Sequence, residues 1–322
     1  MRPPYPDATA KSHCSRCPIT RRVAILTFRS SYETTSCDVV RDCDRPNSQC
    51  FCCRTSAGAI HSGRSRLARP GVRGRGGQRR RQNLVRHRRQ GTPIILLHGG
   101  LSSSRGWGAQ VPALVGAGYR VVLIDSRGHG RSTLGTRPLS YELMARDVTA
   151  VMDALALRRA AIVGWSDGAI IGLVLAMRNS RRVDRLYAFG ANMDQHGVRD
   201  GAAQAPILQD VGPRLAADHA ELSRDPQGFA TLHQAVRTMQ RTQPDYRASQ
   251  LAAIRGVPVT IADGAQDEFI TAAHPAYLAR AIPAAKLEIF ANAGHFAPWQ
   301  HAATFNRALL AFLGKGGRPS SK

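Results

Sequence analysis

The amino-acid sequence predicts an α/β fold with a mostly parallel sheet flanked by helices. Short apolar runs rich in Val, Ile and Leu recur from residue 93 to residue 290, and longer helical stretches separate them. Such runs form strands that are buried on both faces, and their alternation with helices is typical of parallel sheets. The 322 residues are enough for one large domain with a well-buried core.

Residues 1–90 differ from the rest of the chain in composition. They hold most of the net charge of +23 and all seven cysteines, and residues 64–89 are rich in Arg and Gly. This segment shows no regular period that could bury one face of a helix or strand. We therefore expect residues 1–90 to be disordered or non-native, a shifted reading frame being one alternative, and residues 91–322 to be the folded domain.

Several functions are not expected from this segment. The cysteine spacing matches no standard zinc site, and the Arg-rich run lacks a recognition-helix pattern, so we predict neither a metal nor a specific nucleic-acid partner. The apolar run 23–28 after Arg21 and Arg22 is too short for an export signal. No run approaches the roughly 20 apolar residues that cross a bilayer. We expect a cytoplasmic protein that does not bind membranes, and the sequence indicates no oligomeric state.

The most informative motif is Gly-Trp-Ser-Asp-Gly at residues 164–168, which follows a short apolar run and precedes a long stretch rich in small residues. A strand that turns sharply into a helix would expose the hydroxyl of Ser166 at the turn. The flanking glycines lack a Cβ and allow a tight turn. The backbone N–H of Asp167 would then lie at a helix N-terminus, where it can donate to a developing oxyanion.

Two other predicted strands also end in polar loops. One leads into His-Gly-Gly-Leu at residues 98–101, where the N–H of Gly100 or of Leu101 is a candidate second oxyanion donor. His98 is expected to brace this loop by hydrogen bonds. The next strand leads into a glycine-rich loop, in which polar side chains such as His129 are expected to tie the loop together.

These motifs in this order resemble the α/β-hydrolase superfamily, and the resemblance covers residues 91–314. The Gly-Trp-Ser-Asp-Gly motif, together with Phe-Gly-Ala-Asn at 189–192, is most similar to the valacyclovirase (biphenyl-hydrolase-like) group and related bacterial esterases. The resemblance implies the α/β-hydrolase fold with a small helical lid, here at residues 193–250. Family members usually build two antiparallel strands before the His-Gly strand, and residues 60–90 do not look able to form them.

The resemblance also implies the remaining catalytic residues. Family members carry the triad acid in a Gly-x-x-Asp turn, which Asp267 fits, with Asp263 and Glu268 as neighbouring alternatives. His295, in the loop after the last predicted strand, takes the position of the base. Ser166 would attack a carbonyl carbon, His295 would transfer the proton, and Asp267 would hold the imidazole.

We thus expect a serine hydrolase that cleaves a small-molecule carboxylic ester, with an oxyanion hole at Gly100 and Asp167 and with no cofactor. Substrate contacts are expected from Leu101, Trp165, Asp167 and Phe296. A C–C bond hydrolase, an enol-lactonase or a cofactor-free perhydrolase would use the same triad, and an inactive or truncated member of the fold is a further alternative. The Asp167 carboxylate could hold a cationic amine of the substrate or could only stabilise its helix N-terminus.

Overall fold

The computed structural model describes residues 22–28, 34–40 and 91–314, and its central feature is an eight-stranded sheet. The strands in chain order are β1 (Arg22–Phe28), β2 (Thr34–Val40), β3 (Pro93–Leu97), β4 (Arg120–Ile124), β5 (Ala160–Trp165), β6 (Val183–Phe189), β7 (Val259–Gly264) and β8 (Lys286–Phe290). The strand order is β2-β1-β4-β3-β5-β6-β7-β8, and all neighbours from β4 to β8 pair in parallel. The predicted mostly parallel sheet is confirmed.

Helices cover both faces of this sheet. They are α1 (Val111–Gly116), α2 (Tyr141–Ala154), α3 (Asp167–Asn179), α4 (Ile207–Leu222), α5 (Phe229–Gln240), α6 (Ala248–Leu251), α7 (His274–Ala281), α8 (Ala297–Gln300) and α9 (Ala302–Leu313). Successive side chains of a strand point to opposite faces. Ile95 and Leu97 accordingly join the core under α2, α3 and α7, whereas Ile94 and Leu96 join the core under α1 and α9.

The helix α2 illustrates how local sequence sets these elements. Ser140 is extended, and its side chain accepts a hydrogen bond from the Leu143 N–H at 3.1 Å, which caps the helix as the sequence predicted. Met144, Val148 and Val151 lie on one side of the helix and are buried. This apolar stripe holds α2 against the sheet next to α3.

Two stretches of the N-terminal part of the chain form strands. Within the segment 1–90, which was expected to be disordered or non-native, β1 and β2 form an antiparallel pair, and β1 also pairs antiparallel with β4, Ile25 opposite Ile124. The physical reason is the apolar run 23–28, which was judged too short for an export signal but is long enough for a strand. These strands lie well before residues 60–90, where the family's first two strands were sought. The zinc, nucleic-acid and disorder predictions for the rest of this segment lie outside the described residues.

The predicted lid lies in the insertion between β6 and β7, which contains α4, α5 and α6. Val211 and Leu215 of α4 pack into one hydrophobic core, and Leu232 and Val236 of α5 pack into the other. Both helices therefore dock on the domain through an apolar face. In the described ranges we find no helix with the length and apolar character needed to cross a bilayer.

Candidate active site

The turn at the candidate nucleophile Ser166, the elbow, is one residue long, since β5 ends at Trp165 and α3 begins at Asp167. Ser166 between them has a φ of 55° and a ψ of −123°, a backbone conformation that residues other than glycine rarely adopt. A conformation of this kind costs about 1–3 kcal/mol and persists where the surroundings enforce it. The Ser166 N–H donates to the Phe189 carbonyl at 2.8 Å, which ties the turn to the end of β6.

The two glycines of the motif are required by close backbone contacts. A Cβ built on Gly164 would lie 2.3 Å from the Gly168 carbonyl oxygen, and one built on Gly168 would lie 2.0 Å from the Leu97 carbonyl oxygen. Either side chain would push α3 away from the strands beneath it. The spacing of the motif is therefore a packing requirement for holding the serine in this position.

His295 and Asp267 form a buried pair. His295 Nδ1 lies 2.7 Å from Asp267 Oδ2, and Asp267 Oδ1 accepts the backbone N–H groups of Phe269 and Ile270 at 2.7 Å each. Burial alone would raise the pKa of Asp267, but the adjacent His295 ring and the hydrogen bonds outweigh it and lower this pKa to about 2. Asp267 is thus an ionised carboxylate that fixes the orientation of the imidazole.

Ser166 and His295 both lie against the end of β6. Phe189 accepts the Ser166 N–H, and the adjacent Gly190 lies against the imidazole: its added Cβ would be 2.8 Å from His295 Cε1. The Trp165 indole N–H donates to the His295 carbonyl at 2.8 Å. The hydrogen bonds found among the described residues do not include one between the Ser166 hydroxyl and the His295 ring. Such catalytic contacts often tighten only when substrate binds.

The structure distinguishes Asp267 from the two neighbouring acids. Glu268 accepts the backbone N–H of His295 at 2.9 Å and does not contact its ring nitrogens. Asp263 is 2 % exposed and shares a hydrogen bond with Asp267. Burial and the Asp267 charge raise the pKa of Asp263 to about 10, so Asp263 is a neutral carboxylic acid behind the ionised one.

The loop after β3 is held by neutral histidines. The Leu101 N–H donates to His129 Nε2 at 3.1 Å. Because this bond occupies the Leu101 N–H, Gly100 is the better candidate for the second oxyanion donor. Burial and the neighbouring His98 lower the pKa of His129 to about 3. His98 Nε2 accepts the Ser126 N–H at 3.0 Å, and burial lowers the pKa of His98. Both rings brace the loop, as the sequence predicted.

The carboxylate of Asp167 is buried beside the elbow. Its Oδ1 accepts the Tyr141 hydroxyl at 2.8 Å and the Gln240 amide at 3.0 Å. Burial raises the pKa of Asp167, although the hydrogen bonds from Gln240 and Tyr141 partly oppose the shift. A Cβ on Gly100 would lie 2.8 Å from Asp167 Oδ2, so the two candidate oxyanion residues are in contact.

The other predicted substrate contacts occupy different environments. Trp165 is 2 % exposed, its indole N–H is bonded to His295, and its ring packs edge-on against Phe296 and Trp299. Trp165 is thus buried in the core beneath the turn and bonded to His295, and its role as a substrate contact stays a prediction. Leu101 is partly buried against both cores, and Phe296 packs beside the His295 ring.

Two residues near the site escaped the sequence analysis as site residues. Gly190 has a φ of 65°, and its lack of a Cβ makes room for the His295 ring. In the sequence, its position directly after a predicted strand is the one signal that could have indicated this role. Gln240 reaches Asp167 from α5, more than seventy residues away, and no local pattern marks this pairing. Both depend on tertiary contacts.

Comparison with known proteins agrees with this geometry. The sequence profile described as alpha/beta hydrolase fold matches residues 92–243. A 2-hydroxy-6-oxononadienedioate/2-hydroxy-6-oxononatrienedioate hydrolase of Pseudomonas putida is 30% identical over 251 residues, which cover 68% of this chain and 87% of that protein. The chain belongs to the α/β-hydrolase family.

Other members are similar over the same part of the chain. A 2-hydroxy-6-oxo-6-phenylhexa-2,4-dienoate hydrolase of Burkholderia cepacia is 28% identical over 261 residues, covering 70% of this chain and 89% of that protein. The crystal structure of an enol-lactonase from Burkholderia xenovorans superposes with a TM-score of 0.54 at 24% identity, covering 69% of this chain and 91% of that one. This structural likeness shows the shared fold alone. The named relatives are bacterial hydrolases, and the valacyclovirase-like subgroup is not specifically indicated.

Proposed function

We propose that this α/β-hydrolase family member is a serine hydrolase that cleaves a carboxylic ester through an acyl-enzyme on Ser166. One observation carries the proposal: the strained Ser166 is bonded to Phe189 and the His295–Asp267 pair packs against Gly190, so both lie beside consecutive residues at the end of β6. A serine held at the tip of a strand-to-helix turn by about 1–3 kcal/mol of enforced backbone strain is typical of an activated nucleophile. The alternative of an inactive member of the fold predicts no reaction at this serine.

The proposed reaction has two proton-coupled steps. The Ser166 hydroxyl oxygen bonds to the ester carbonyl carbon while its proton passes to His295 Nε2, and Asp267 stabilises the resulting imidazolium. The backbone N–H groups of Gly100 and Asp167 stabilise the oxyanion, each such donor being worth about 3–4 kcal/mol. The carbon–oxygen bond to the alcohol then breaks as His295 returns the proton to it. Water repeats the sequence and releases the acid and free Ser166.

Hydrolysis of a carbon–carbon bond is the second candidate. It is favoured by the names of the relatives, since the Pseudomonas putida and Burkholderia cepacia proteins are hydrolases of 2-hydroxy-6-oxo dienoates. Enol-lactone hydrolysis is a further use of the same groups, and the Burkholderia xenovorans structure is that of an enol-lactonase. Against a dianionic substrate stands the buried Asp167 carboxylate, which would repel a carboxylate bound beside Gly100.

Covalent labelling tests the nucleophile first. The full-length protein is treated with a fluorophosphonate probe, and the modified peptide is identified by mass spectrometry. We expect modification at Ser166 and none in Ser166→Ala. Wild-type protein that melts cooperatively but takes up no probe would refute the proposed serine chemistry.

A substrate panel then separates the reaction classes. It contains a p-nitrophenyl ester, an enol-lactone and a 2-hydroxy-6-oxo dienoate at equal concentrations. We expect the ester to have the highest kcat/KM. A dienoate kcat/KM above that of the ester would instead assign the protein to the carbon–carbon bond hydrolases.

The substrate class can be narrowed through Asp167. If its carboxylate holds a cationic amine, valine benzyl ester should be preferred over isovaleric acid benzyl ester by about 10-fold, as expected for one charge-assisted hydrogen bond. Asp167→Asn keeps the backbone donor and should abolish this preference. Equal rates for both esters in the wild type would leave Asp167 as a helix-terminal acid only.

A further inference from the structure

Gln240 is the last residue of α5, and its side chain reaches from the insertion to the nucleophile elbow. Its Nε2 lies 3.0 Å from Asp167 Oδ1 and 3.2 Å from Asp167 Oδ2. Leu232 and Val236 of the same helix are buried in the core. Because residues four apart on a helix share a face, Gln240 continues this docked face. The contact with Asp167 is thus fixed by the packing of α5 as a whole.

Gly100 lies in the corner between these two side chains. A Cβ added to it would lie 2.8 Å from Asp167 Oδ2 and 3.1 Å from Gln240 Nε2. Gly100 and Asp167 are the two residues whose N–H groups we assign to the oxyanion hole. Gln240 therefore bonds to the side chain of one donor residue and packs against the backbone of the other.

The charge of Asp167 makes this contact important for the reaction. A carboxylate near the oxyanion would oppose the developing negative charge unless hydrogen-bond donors hold it and disperse its field. Tyr141 and Gln240 are both neutral donors to Asp167. A buried carboxylate that loses such a donor has to protonate, rotate or take up water. Each of these changes would disturb the donors beside it.

We propose that Gln240 is a positioning residue that acts through Asp167 and Gly100 to hold the two oxyanion donors in place. The insertion then contributes to the chemical step as well as covering the site. This proposal rests on the serine-hydrolase function proposed above, and the experiment below separates the failure of one from the failure of the other.

The test is a double-mutant cycle on the full-length protein, read out by the rate of fluorophosphonate labelling and by p-nitrophenyl acetate hydrolysis. Gln240→Glu places two carboxylates together and should lower both rates about 10- to 100-fold. Combining it with Asp167→Asn reverses the hydrogen bond, since the new amide can donate to the new carboxylate and still accept from Tyr141. The rate of the double variant should be at least about 10-fold higher than the rate expected if the losses of the two single variants simply multiplied.

Gln234→Glu is the matched control, because Gln234 lies on the exposed face of α5. It should label at the wild-type rate, and thermal melting verifies the fold of every variant. If Gln240→Glu does not fold, Gln240→Met removes the donor at similar size, and the same less-than-multiplicative loss is expected with Asp167→Asn. Purely multiplicative losses would overturn the positioning role. An unlabelled wild type would instead overturn the serine-hydrolase function.

Discussion

Gly190→Ala should displace the His295 imidazole, the proposed catalytic base, by a predictable amount. The added Cβ would lie 2.8 Å from His295 Cε1 and 3.0 Å from Nδ1, whereas carbon atoms in contact prefer about 3.5 Å or more. The ring must therefore move by roughly 0.7 Å, or the end of β6 must yield by the same distance. A misplacement of about 1 Å can cost a factor of about 100 in rate, so we expect kcat to fall about 10- to 100-fold.

The substitution also strains the backbone, since Gly190 has a φ of 65°. Gly201 is a suitable control because its φ is 75° and no heavy atom lies within 4 Å of its added Cβ. Gly201→Ala thus introduces the same kind of strain, worth about 1–2 kcal/mol, without touching the site. Urea melts measure the strain in both variants, and labelling rates with ester hydrolysis measure the effect on the site.

The expected pattern is a comparable loss of stability in both variants and a loss of rate in Gly190→Ala alone. A Gly190→Ala protein that folds and labels at the wild-type rate would refute the argument. It would mean that the imidazole next to this glycine is not the group that activates Ser166.

Three further predictions follow from the described contacts. Asp263→Asn should raise the melting temperature at pH 8. The wild-type carboxyl takes up a proton on folding, so the folded protein loses stability as the pH rises from the ordinary pKa of the carboxyl toward about 10. A melting temperature with the same pH dependence in both proteins would contradict this. Asp267→Asn should lower kcat by about 10³- to 10⁴-fold, measured by ester hydrolysis, and retained turnover would exclude it as the triad acid. Ser140→Ala removes the cap of α2 and should cost about 1 kcal/mol in urea melts; a changed labelling rate would argue that its effect reaches the site.

The sequence predicted those parts of the fold that depend on local pattern. The strand, turn and helix around Ser166 follow from two glycines and a change of period within a dozen residues, because each requirement acts between near neighbours. The apolar stripe of α2 and its Ser140 cap are equally local. The assignment of Asp267 and His295 came from resemblance, and their contact at 2.7 Å is the tertiary feature that gives it physical content.

The remaining features depend on pairings between distant parts of the chain. β1 is a short apolar run, and only its pairing with β4, about a hundred positions later, makes it part of the sheet. Trp165 is a large aromatic residue next to Ser166, but its burial and its hydrogen bond to the His295 carbonyl depend on the tertiary structure. The raised pKa of Asp263 depends on its burial at the end of β7 and on its contact with Asp267, and no local sequence pattern predicts either.

The pairing of β1 with β4 has a practical consequence for any shortened version of this protein. Without residues before 91, β4 would become the outermost strand, and a row of backbone N–H and C=O groups would face water along its length. An exposed edge strand of this kind tends to pair with strands of other molecules. Truncation at the compositional boundary near residue 91 would therefore favour self-association, and biochemical work is better served by keeping the chain from residue 22 onward.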